Sequence, residues 1–171
     1  MGMISKLFGS KENPLAEQAR KLIGAASVFS VSLFEPTLKR FVVLEDVDVR
    51  RWDFIVTVAG VFISATRLNN LQAGTLREEK LMEIVSAQLD SWDKDGLRAF
   101  EDCKRLFEIE YDRLRATPVY QQDPRFLASD ALGIWIVWNV LCRRPETMEE
   151  IELVRAVGGA VTHAFFDWWE E

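Results

Sequence analysis

Apolar residues recur along this chain at the three- and four-residue spacing of α-helices, broken where proline or a capping residue intervenes. Leu15, Leu22, Ala26, Phe29 and Leu33 share one helical face. From Leu81 through Val85, Leu89, Trp92, Gly96, Phe100, Cys103, Phe107 and Tyr111 to Leu114, the apolar positions step by four, four and three in turn. That mean spacing of about 3.67 residues follows a straight or slightly right-handed helix. The prolines Pro14, Pro36, Pro118, Pro124 and Pro145 fall between these segments and interrupt none of them. Asn13-Pro14 and Asp123-Pro124 each read as an N-cap followed by proline at the first helical position. Thr75 with Glu78, and Thr147 with Glu150, fit the capping box.

The pattern predicts helices over about 14–34, 48–69, 76–116, 124–143 and 147–170. Two points stay open: whether 76–116 is continuous or breaks into a hairpin at Asp93–Gly96, and whether Pro36–Leu44 is a short helix or extended. The expected fold is all-α, a single helical domain over 14–171 preceded by a flexible segment over 1–13. Its architecture is a bundle of about five or six helices. The helix at 124–143 is apolar all round from Ala131 to Trp138, which predicts the bundle's centre for it. Gly24, Gly60, Gly133, Gly158 and Gly159 lie inside apolar helix centres, each at roughly 1 kcal/mol of lost propensity relative to alanine. Close helix crossings would offset that loss. On the second helix Asp53, Thr57, Gly60, Ser64 and Arg67 form a narrow stripe, expected to be the face of a largely buried helix that reaches water.

Composition narrows the class of function. The 171 residues are 49% hydrophobic and 28% charged, with a net charge of −6, which describes a folded globular chain. Its basic residues form scattered pairs such as Arg50-Arg51 and Arg143-Arg144, so a nucleic-acid partner is not expected. The longest charge-free runs, such as Leu22–Phe34 and Phe54–Thr66, are far short of the roughly 20 residues of a membrane span. Lys6 splits the apolar residues of the first turns, so no secretion signal is expected. Cys103 and Cys142 have no framework spacing, and a reducing, cytoplasmic location follows.

Candidate chemistry is sparse. Asp93-Lys94-Asp95-Gly96 resembles part of a calcium loop, but Ser91 and Arg98 occupy positions that need an acid and an apolar residue. His163 is the sole histidine and no Cys-x-x-Cys exists, so no metal site and no cofactor is expected. His163 and Asp167, four residues apart, form a weak candidate acid–base pair. The aromatics stand out, with six Trp and eleven Phe. Trp135 and Trp138 mark a possible apolar pocket, with Asp53 a possible acid within it. Phe166 falls on the polar face of the last helix beside Trp169, and the pair is expected to anchor a protein partner or a second subunit, unless the segment around Leu7 and Phe8 covers it. The leading expectation is a non-enzymatic helical interaction protein of the adaptor or scaffold type that associates with itself, a homodimer being one form of that association. The alternatives are a binder of an apolar small molecule held between helices, and an enzyme using His163 and Asp167.

Overall fold

The structure, a computed structural model, describes residues 13–72 and 76–170 and is built from helices, with no strand among them. Seven α-helices follow in order: α1 (Pro14–Arg40), α2 (Val49–Gln72), α3 (Leu76–Trp92), α4 (Gly96–Arg115), α5 (Pro118–Gln122), α6 (Leu127–Leu141) and α7 (Met148–Phe165). Single 3₁₀ turns sit at Val42–Leu44, Pro124–Phe126 and Trp168–Glu170. No helix among the described residues is long and apolar enough to cross a membrane. Of the segment expected to be flexible over 1–13, all but Asn13 lies outside the described residues, as does Thr75 of the expected capping box.

Local signals set most helix ends. Asn13 Oδ1 accepts from Leu15 N–H at 3.0 Å, so α1 starts at its proline as expected. Thr147 and Glu150 form the capping box of α7. Asp123 caps only the 3₁₀ turn, accepting from Arg125 N–H at 3.2 Å, and the short α5 before it carries no periodicity that would announce it.

Two prolonged patterns resolve differently from their simplest reading. α1 does not stop at 34 but runs to Arg40 with Pro36 inside it. Pro36 and Ser32, whose carbonyl loses its partner there, both lie on the exposed face, so water satisfies what the proline removes. The long third segment breaks at Asp93–Asp95, where Asp93 Oδ1 accepts from Asp95 N–H at 2.8 Å. A Cβ on Gly96 would come within 2.7 Å of the Leu89 carbonyl oxygen, so this tight return needs glycine. Trp92 stacks on Phe54 near the start of α2, while Phe62, further along α2, meets both Phe100 and Phe107 of α4. α3 and α4 are therefore an antiparallel hairpin laid against α2.

α6 is enclosed as its all-round apolar pattern predicts, with residues from Ser129 to Val137 buried. α2 shares the centre with it, since α2 packs on α1, α3, α4, α6 and α7. That position overturns the expected solvent-facing stripe on α2. Thr57 and Ser64 are fully buried, Asp53 accepts a hydrogen bond from the buried Ser30 of α1, and a Cβ on Gly60 would lie 3.0 Å from the Phe165 ring. The small residues are there because α1 and α7 cross α2 on that side.

The glycine expectation divides the same way. At the crossing of α6 and α7, a Cβ on Gly133 would lie 2.1 Å from the Val154 carbonyl oxygen, and one on Gly158 would lie 2.0 Å from that of Ser129. Gly24 and Gly159 meet nothing within 4 Å and mark no crossing. Ile151 is exposed, because α7 is covered on one side only.

Candidate functional site

The residues singled out from sequence do not converge on one place. At the end of α7, His163 and Asp167 are both exposed, and no ion pair joins them. Asp167 turns to α2 instead, with Arg67 Nε 3.4 Å from its Oδ1. The Arg67 guanidinium also covers the Phe166 ring, 4.9 Å from its centroid. Phe166 and Trp169 are half-buried and pack against the core from its rim. Phe166 keeps helical backbone angles and donates its N–H to the Thr162 carbonyl, so it stands where the helical wheel puts it, but Arg67 of α2 covers that position.

Trp135 and Trp138 do share a groove, of about 830 Å³, but its character is not the apolar one expected. Asp48, Asp93, Asp95 and Asp102 line it together with Arg50, Arg51 and Arg98. Trp135 is buried beneath it and donates its indole N–H to Asp102 Oδ2 at 3.1 Å, tying α6 to α4. Burial pushes the Asp102 carboxyl up, but hydrogen bonds from Arg105 and Trp135 outweigh it and hold the group below its ordinary value. Trp138 is half-buried under the Arg144 guanidinium, 5.5 Å from the ring. Asp53 takes no part, as it faces α1.

The two cysteines are set apart by position. Cys142 is exposed in the charged groove beside Arg51, and it carries the positive φ of 58° that ends α6. Cys103 is fully buried, and that burial, with Asp102 adjacent, pushes its thiol well above the ordinary value. A thiol reagent should therefore titrate one cysteine per native chain, at Cys142, and two after denaturation. Equal reaction of both in the native protein would contradict this packing.

An apolar cleft lies elsewhere, away from the tryptophan groove. Phe62, Met82, Phe100, Phe107, Tyr111 and Phe166 wall a space of about 630 Å³, with Lys104, Glu108 and Asp112 at its edge. Periodicity places Phe100, Phe107 and Tyr111 on one core stripe, and the cleft joins that stripe to Phe62 of α2, Met82 of α3 and Phe166, a grouping that no single segment reveals.

The second feature that sequence reasoning missed is on α1. Its outward face carries Val28 at 72% and Val31 at 59% exposure, among the most exposed apolar side chains described. Among the described residues no group of three or more His, Cys, Asp or Glu could hold a metal ion. No family model matches this chain, and no curated protein or solved structure matches it either.

Proposed function

We propose that this chain is a non-enzymatic helical interaction protein that associates with itself in the reducing environment of the cytoplasm. One observation supports it most: Val28 and Val31 stand in water one turn apart, in the middle of a long and otherwise well-packed helix. Burying two such side chains contributes about 1.5 kcal/mol or more each when a second surface covers them. The same surface is better placed for a partner than Phe166 and Trp169, which the chain's own core already holds.

The test is sedimentation velocity of the purified chain from about 1 to about 200 μM, the range in which an interface of modest area operates. A mass rising from monomer toward dimer is expected. A monomer across the whole range would remove self-association.

A second reading, binding of an apolar small molecule, is favoured by the aromatic cleft, whose volume of about 630 Å³ falls within the range of ligand pockets. Native mass spectrometry of the freshly purified protein distinguishes it. A single reproducible lipid-like mass, lost when Phe107→Asp closes the cleft to apolar compounds, would favour the ligand reading. Acid–base chemistry at His163 has the least support, because Asp167 is engaged by Arg67.

A further inference from the structure

The exposed face of α1 has a charge order that specifies how a second copy would sit on it. Glu17, Lys21, Gly24, Val28, Val31, Glu35 and Lys39 are all exposed and step along the helix by four, three, four, three, four and four. That is the seam of a helix pair, with small and β-branched residues in the middle and charges at both ends. Within one chain Glu17 pairs with Lys21 at 2.8 Å, and Glu35 with Lys39 at 2.9 Å. The order of charges is therefore acid, base, apolar centre, acid, base.

Two such helices laid parallel and in register would set each charge against its like. Laid antiparallel about a twofold axis at Val28, each charged position meets its complement. Glu17 faces Lys39 of the second copy, Lys21 faces its Glu35, Gly24 faces its Ser32, and the two Val28 side chains meet on the axis. Gly24 is open, with nothing within 4 Å of where a Cβ would stand, and Ser32 is small and exposed, so the backbones can approach closely beside the valines. A groove of about 420 Å³ between α1 and α3, lined by Arg20, Ser27, Gln88 and Ser91 as well as Gly24 and Trp92, borders this face.

We propose that a second copy of this chain docks on α1 in this antiparallel register, with the twofold axis through Val28. The inference rests on the self-association reading and adds its surface, direction and register. α1 spans 27 residues, about 40 Å, so the seam is long enough for both charged ends to engage. Its narrowness places it among weak, concentration-dependent dimers. Symmetry doubles every contact, so one substitution acts twice.

The experiment combines sedimentation with cross-linking, with Cys142→Ser as the background. Lys21→Glu sets acid against Glu35 at both ends and should weaken dimerisation about tenfold. Adding Glu35→Lys to it should restore the wild-type constant to within about twofold. Val28→Asp should leave a folded monomer with an unchanged helical circular dichroism spectrum. Under mild oxidation, chains carrying Glu17→Cys mixed with chains carrying Lys39→Cys should give a mixed disulfide dimer. A Glu17→Cys homodimer in its place would overturn the antiparallel register. A wild-type dimer indifferent to Val28→Asp would remove α1 as the seam while self-association stood. A wild-type monomer at every concentration would remove both.

Discussion

Replacing Gly133 or Gly158 by alanine should lower stability by about 3 kcal/mol, a loss of about 10 °C in melting temperature for a chain of this size. The direction is opposite to intrinsic propensity, which favours alanine over helical glycine by roughly 1 kcal/mol. The two glycines face each other's helices. A Cβ on Gly133 would sit 2.1 Å from the Val154 carbonyl oxygen, and one on Gly158 2.0 Å from that of Ser129 and 2.9 Å from the Gly133 Cα. Both obstacles are backbone, so neither can rotate away, and α6 and α7 must separate. Gly159, one residue along α7, meets nothing within 4 Å, so Gly159→Ala should be neutral or slightly stabilising. Thermal melts of the three variants check this, and a Gly158→Ala protein as stable as Gly159→Ala would contradict the close crossing.

Glu150→Ala should destabilise by a similar amount, about 3 kcal/mol, because its carboxylate is the hub of the α6–α7 connection. The side chain is 1% exposed. It accepts from the Glu146 N–H at 2.7 Å and the Thr147 N–H at 3.0 Å, while the Arg143 guanidinium grips both of its oxygens. Alanine leaves those amides without a partner. Nearby Glu110, also buried, binds Arg144 at 3.2 Å and Arg113, so both arginines of the loop are held by glutamates beneath them. The Arg143 hydrogen bonds, assisted by the two backbone amides and opposed by burial, hold Glu150 at about 2 against an ordinary 4.5. A depressed carboxylate stabilises the fold fully above its unfolded value, and that contribution is lost as pH falls from about 4.5 toward about 2. Glu150→Gln should therefore flatten stability against pH in that acid window. Denaturant midpoints of wild type and Glu150→Gln at several pH values read the difference, and parallel curves would contradict it.

Much of this fold is visible in the order of residues, because helices are local. The four-four-three spacing, the Asn13 cap and the Thr147–Glu150 box each act within a few positions, and the helices begin where they indicate. What failed was non-local. The polar stripe on α2 resembles a water-facing edge until α1 and α7 are known to cross it, and then its small residues are the condition for crossing. Gly24 and Gly133 look alike in sequence, yet only Gly133 lies opposite another backbone. The break after Trp92 preserves helical phase, so periodicity passes through it unmarked.

The candidate surfaces were harder still. Phe166 stands where an ideal helix puts it but is covered by Arg67 of α2, while Trp169 falls in a 3₁₀ turn that the helical wheel does not describe. Trp135 and Trp138 share a groove, but the charges that make it polar come from the start of α2, from α4 and from the turns just before each. Val28 and Val31 were concealed by their setting. In a helix apolar on its inner side, two more valines look like additional core, and only the packed bundle leaves them exposed among the described residues.

Amide and methyl chemical shifts followed across a dilution series test the self-association seam most directly, because they report on each residue separately. On raising the concentration, shifts should move along the α1 face at Glu17, Lys21, Gly24, Val28, Val31, Glu35 and Lys39. The equally exposed Val119, Phe126 and Met148 should stay where they are. Shifts confined to Phe166 and Trp169, or a spectrum that does not change with concentration, would contradict it.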